Sequence, residues 1–158
     1  MLSIHPLSQV PTARDYCIKW SDAEWSALAG FSKDDWRQEF QRIEKDPVDE
    51  VFVALEGDTP VGMAWMLEQE GVESHTHLSP WLSSLIVDPL HRDKGVASAL
   101  VQHVETYAAL GGDDDLYLLT ETPSYYFSMD WEVFDTAELP DRTVFVMKKS
   151  IRASADQD

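Results

Sequence analysis

The segment Val87-Asp88-Pro89-Leu90-His91-Arg92-Asp93-Lys94-Gly95-Val96-Ala97 combines residue types that suit an anion. It follows an apolar run and precedes an amphipathic stretch, so its amides are expected at the start of a helix. There several backbone N–H groups lack an intrahelical acceptor, and the helix dipole adds partial positive charge, so main chain can cradle a pyrophosphate. Gly95 allows close approach of a ligand, and the small Ala97 keeps the turn open. Arg92 adds a bidentate donor and Lys94 a point charge. The same residues also fit a solvated turn with a well-formed helix start, Asp93 serving as its N-cap. Neither GxxxxGK[ST] nor GxGxxG is present, which excludes P-loop and Rossmann-type phosphate sites.

The elements around this turn read as an α/β chain. Leu2 to Leu7 is a short strand candidate, and Pro11 to Lys45 carries spaced apolar residues that predict two or three short helices. Ser21 or Asp22 is expected to cap one helix, Ser32 with Asp35 to form a capping box for the next, and Gly30 to separate them. Val51 to Leu55 and Val61 to Leu67 predict a hairpin, followed by a polar loop from Gly71 to Pro80. Trp81 to Val87 reads as a strand. Ala97, Leu100, Val101, Val104, Tyr107 and Ala108 then share one helical face ended by Gly111-Gly112, and Leu116 to Thr120 is a strand parallel to the first. A short helix over Pro123 to Met129 and an antiparallel pair, Trp131 to Phe134 with Thr143 to Lys149, complete the set. One domain over residues 1–152 is expected, with a flexible C-terminal tail at 153–158.

Composition narrows the function. At 158 residues, with 44% hydrophobic and 26% charged residues, a packed core is feasible and a disordered chain is not expected. Twelve basic against 29 acidic residues give a net charge of −17, which disfavours nucleic acid and polyanionic substrates and suits cationic ones. The single cysteine, Cys17, forms no internal disulfide, and neither a signal peptide nor a long apolar run is evident. No membrane association is expected, and a cytoplasmic location is.

The order Pro89-x-x-Arg92-x-x-Gly95-x-Ala97 after a strand resembles the acetyl-CoA motif of the GNAT superfamily of N-acetyltransferases, R/Q-x-x-G-x-G/A. Tyr125-Tyr126-Phe127-Ser128-Met129-Asp130-Trp131 resembles the family's F-Y-x-x-x-G-F/W segment, with Asp130 where glycine is usual. Pro80-Trp81-Leu82, Leu116 to Thr120 and Val146 to Lys149 are also similar to small bacterial members. The likeness spans most of the chain after Val51, and the N-terminal third agrees only in organisation.

The resemblance implies an acyl-CoA N-acyltransferase fold, a central mixed, splayed β-sheet flanked by helices. It places main chain of Leu85, Ile86 and Val87 along pantetheine, and Arg92, Asp93, Lys94, Gly95, Val96, Ala97 and Ser98 around the pyrophosphate of acetyl-CoA. It implies direct transfer of acetyl to an amine acceptor in a ternary complex without a metal, with Tyr126 as the proton donor to the leaving thiolate; homodimers are frequent in such folds. Without the motif, Tyr126 reads as a core aromatic. A non-catalytic CoA or acyl-CoA-binding module is the alternative. Glu24, Glu68, His75, His77 and Glu121 have the chemistry of a base, but spacing singles out none. Glu73, His75 and His77 lack a distant third ligand, so no metal site is expected. Trp20, Trp25, Trp36 and Trp81 fit either an acceptor pocket or the core, and the resemblance sets Trp81 near the acceptor side.

Overall fold

The computed structural model describes residues 1–152, so the tail expected at 153–158 lies outside the described residues. Seven strands, Leu2–Pro6 (β1), Glu50–Glu56 (β2), Thr59–Leu67 (β3), Trp81–Val87 (β4), Asp115–Thr120 (β5), Glu132–Glu138 (β6) and Thr143–Ser150 (β7), form a mixed sheet in the order β1-β2-β3-β4-β5-β7-β6. Helices Arg14–Ala29 (α1), Lys33–Lys45 (α2), Val96–Leu110 (α3) and Ser124–Phe127 (α4) accompany it. The chain divides into two compact units, Met1–Trp65 with Ser84–Val101, and Met66–Ser83 with the residues from Gln102 onward.

In the first unit β1 runs antiparallel to β2, from Leu2 opposite Glu56 to Pro6 opposite Phe52. Two 3-10 turns, Leu7–Gln9 and Pro11–Ala13, lead directly into α1. Ser21 and Asp22 therefore sit inside that helix and cap nothing, Ser21 being fully buried. The second cap matches expectation: the Asp35 amide donates to Ser32 Oγ at 3.1 Å and the Ser32 amide to Asp35 Oδ2 at 2.8 Å. Trp20 and Trp36 are core residues with satisfied indoles, donating to Asp88 Oδ2 at 3.2 Å and to Ser26 Oγ at 2.8 Å. Gly62 marks a close approach: a Cβ there would lie 2.9 Å from the Ile86 carbonyl and against Leu100 and Val96. Any side chain at 62 would push β3 away from β4.

In the second unit β7 pairs antiparallel with both β5 and β6, and Phe134 is the extra residue at a register shift between Val133 and Asp135. Parallel pairing of β4 with β5 is confined to Trp81 opposite Tyr117, where the Tyr117 amide also donates to the Pro80 carbonyl at 3.1 Å. Val72, Leu78, Trp81, Tyr117, Ala137, Val144 and Val146 form the core here. Trp81 donates its indole N–H to the Leu78 carbonyl at 2.9 Å and is buried in this core. Along α3 the buried face is Val96, Leu100, Val101, Val104 and Ala108; Tyr107, expected on that face, is exposed.

Candidate functional site

The turn between β4 and α3 belongs to the first unit. Asp88 fixes its beginning: Oδ1 accepts from the Leu90 amide at 3.0 Å, Oδ2 accepts from the Trp20 indole, and the Asp88 amide donates to the Val61 carbonyl at 2.8 Å. Burial alone would raise the Asp88 pKa, but these hydrogen bonds and His91 outweigh it and hold the carboxyl below its usual value. After Pro89–His91, a 3-10 turn, φ changes sign residue by residue: −71° at Arg92, +62° at Asp93, negative at Lys94 and +81° at Gly95. Arg92 itself is extended, so the two positive-φ residues, Asp93 and Gly95, set the path of the chain through this turn.

The Ala99 amide makes the first bond of α3, to the Gly95 carbonyl at 3.1 Å, so the amides of Val96, Ala97 and Ser98 precede the helical ladder. Among the described residues none of the amides from Asp93 to Ser98 meets an acceptor within the chain. The turn can therefore bind an anion mainly through backbone. Gly95 is required by its backbone: a Cβ there would meet no protein atom within 4 Å, but φ of +81° disfavours any other residue. Asp93 adopts the left-handed region, which aspartate tolerates, and does not act as an N-cap. Arg92 spends its Nε on the Val87 carbonyl at 3.3 Å, closing the turn, while Lys94 is exposed.

The strand leading into the turn is irregular. Ser84 has φ of +51°, a left-handed residue within β4. Leu85 and Val87 are half-buried, whereas Ile86 is 8% exposed and packs into the core, so only its main chain is available to a ligand. Val96 is likewise a core side chain that offers only its amide. Arg92 to Ser98 thus form one local cluster following Leu85 to Val87.

Tyr126 lies in the second unit, on α4. Its ring meets Tyr125 edge-on at 5.0 Å and Trp131 at 6.2 Å, and its hydroxyl has no partner among the described residues. Burial, with a smaller contribution from Tyr125, pushes its pKa up to about 12. The following turn requires a left-handed residue, and Asp130 supplies it with φ of +67°, letting the Trp131 amide donate back to the Tyr126 carbonyl at 3.3 Å.

The second unit also holds a carboxyl that sequence spacing did not reveal. Glu70, just beyond β3, accepts a hydrogen bond from Ser83 Oγ at 3.0 Å, and burial pushes its pKa up to about 7. Its neighbours Glu68 and Glu73 drew attention by chemistry alone, yet both are exposed. Only the packing of the loop against β4 distinguishes Glu70, and no local pattern encodes that. Glu24 is exposed, and Glu121 lies 3.5 Å from Arg142. His75 is buried with both ring nitrogens engaged, by Ser74 Oγ and Asp135 Oδ2, which leaves none for a metal. Among the described residues no three His, Cys, Asp or Glu side chains converge into a metal-binding group.

No curated protein matches this chain by sequence. Solved structures do match in fold. An aminoglycoside 6'-N-acetyltransferase complexed with coenzyme A superposes with a TM-score of 0.77 at 16% identity, covering 96% of this chain and 98% of that one. The aminoglycoside 6'-N-acetyltransferase from Enterococcus faecium gives 0.74 at 17% identity, covering 97% and 98%. The PaiA N-acetyltransferase from Thermoplasma acidophilum in complex with coenzyme A gives 0.67 at 18%, covering 95% and 99%. At these identities the likeness establishes fold, and the family comes from a separate match: the model of the acetyltransferase (GNAT) family covers residues 15–128. With that match over most of its length, and with this strand, turn and helix inside it, the chain belongs to the acetyltransferase (GNAT) family.

Proposed function

We propose that the protein is an acetyl-CoA-dependent N-acetyltransferase that acetylates a primary amine, on a small cationic molecule or a protein, by direct attack in a ternary complex. The observation that carries this reading is the run of unpartnered amides from Asp93 to Ser98 on a backbone of alternating φ sign. The pyrophosphate takes those amides, with Lys94 adding charge, and pantetheine lies along the main chain of Leu85 to Val87. When bound, acetyl-CoA supplies an acyl group on a thiol leaving group. The proposal treats residues 1–152 as one catalytic domain working in the cytoplasm. Among the described residues no helix is long and apolar enough to cross a membrane.

Two proton transfers set the remaining roles. A lysine-like ammonium has a pKa near 10.4, so freeing its lone pair at pH 7 costs about 4.6 kcal/mol. Glu70, titrating near 7, is the group we assign to take that proton, directly or through water, because it is partly ionised at neutral pH and sits in a partly dry environment. Tyr126 stays protonated at every pH of interest and donates a hydrogen bond to the leaving sulfur as charge builds there. A net charge of −17 favours a cationic acceptor over a polyanionic one.

The test is a panel of polyamines, aminosugars and peptide amines with detection of released thiol. Amine-dependent release supports the enzyme. Tight acetyl-CoA binding without release on any amine would replace it with a binding module.

A further inference from the structure

Within the second unit, the 3-10 turn Glu73–His75 faces β6 across a cavity of about 890 Å³ lined by Gly71, Glu73, Ser74, His75, Thr136 and Glu138, among others. None of these groups takes part in the acetyl transfer proposed above. Ser74 Oγ lies 2.6 Å from His75 Nδ1, and His75 Nε2 lies 2.9 Å from Asp135 Oδ2. His75 is 6% exposed, and Asp135 is oriented by a second bond, from the Thr136 amide to Oδ1 at 2.8 Å.

The direction of each hydrogen bond follows from charge. The hydrogen bond from His75 and the Thr136 amide hold the Asp135 carboxyl below its usual value, so it is ionised and accepts only. Nε2 must then carry the proton in neutral His75, which leaves Nδ1 bearing the lone pair. Ser74 Oγ–H can only donate to it. A hydroxyl donating to an imidazole whose far nitrogen is held by a carboxylate is the arrangement that activates serine as a nucleophile. A purely structural hydroxyl would not need the cavity, yet Ser74 is exposed at its wall. The bulge at Phe134 is what lets β6 present Asp135 here, and irregularities of this kind recur beside reactive groups.

We propose that Ser74 is an acyl-accepting nucleophile, with His75 as its base and Asp135 as the residue that orients it, and that the cavity admits small activated esters or thioesters. The new bond joins Ser74 Oγ to the acyl carbon, and the bond from that carbon to the leaving oxygen or sulfur breaks. The proton passes from Oγ to His75 Nδ1 and then to the leaving group. Hydrolysis of the O-acyl serine by water, deprotonated through the same imidazole, restores the free hydroxyl.

The probe is p-nitrophenyl acetate, which reports without coenzyme A and so is independent of the amine acetylation. With the whole protein we expect a burst of p-nitrophenolate approaching one equivalent and an acetyl group on the tryptic peptide containing Ser74. Ser74→Ala should lose both while releasing thiol with amines at the wild-type rate. Asp135→Asn, an exposed change that removes the orienting charge, should slow the burst by roughly 100-fold. Circular dichroism on each variant checks that it is folded. Acetyl found only on lysines, or a burst in folded Asp135→Asn within about twofold of wild type, would overturn the proposal.

Discussion

The loops on either side of β4 solve opposite problems. The one after it, Asp88 to Gly95, leaves main-chain donors unspent and uses side chains only to hold the backbone: Asp88 on Leu90 and Trp20, Arg92 on Val87. The one before it, Gly71 to Pro80, spends its main chain internally, His75 on Val72 and Leu78 on His75, and leaves chemistry to side chains such as Ser74 and His75. A backbone site needs only a short stretch of chain with the right φ signs. A side-chain site needs a partner from elsewhere, here Asp135, 60 residues away.

If the turn after β4 acts through backbone shape, the severest damage comes from Gly95→Val. A β-branched residue at φ of +81° costs about 1–2 kcal/mol or more and distorts the turn, so the acetyl-CoA KM should rise roughly 100-fold while the melting temperature falls only slightly. An unchanged KM would remove this turn from the site. Tyr126→Phe removes a single donor, and kcat should drop about 30-fold with the acceptor KM unaffected. Equal turnover would reassign the proton donor.

Glu70 offers a test through pH. Its folded pKa, about 7, lies above the 4.5 of a free glutamate, so its ionisation opposes folding: its contribution to stability is full below about 4.5 and is lost as pH rises through about 7. Raising pH from 5 to 8 should therefore lower the melting temperature of the wild type more than that of Glu70→Gln. The same variant should lose the rise of kcat/KM through pH 7, falling about tenfold at pH 8. A retained rise would assign the base elsewhere. Smallest is the effect of charge alone: Lys94→Ala should raise the acetyl-CoA KM about threefold, an effect that fades in high salt because Lys94 is solvent-exposed. A change as large as that of Gly95→Val would mean that charge, not backbone shape, dominates binding.

Local signals carried much of the fold. β4 spans Trp81 to Val87 as the apolar run predicts, the Ser32 capping box is present, and β4 and β5 are parallel as the intervening helix requires. The turn was legible for the same reason, since strand, glycine and amphipathic helix are all written within a few residues. Even the left-handed residue before Trp131 was implied by the motif that Asp130 interrupts. Ser21 and Asp22 failed as caps because two 3-10 turns set the start of α1 upstream of them. The tryptophans were ambiguous because an indole reads alike in a core and in a pocket until its N–H acceptor is known.

By itself, then, the sequence determined the order of elements, the acidic character and the glycine-bearing turn between β4 and α3, because hydrophobic period, charge and φ preference act over a few residues. Tertiary structure alone decided that Glu70 is shielded from water, that Ile86 and Val96 turn their side chains inward, and that His75 meets Asp135. Burial and long-range pairing depend on what packs against a residue, and a carboxylate or imidazole carries no local mark of the company it will keep.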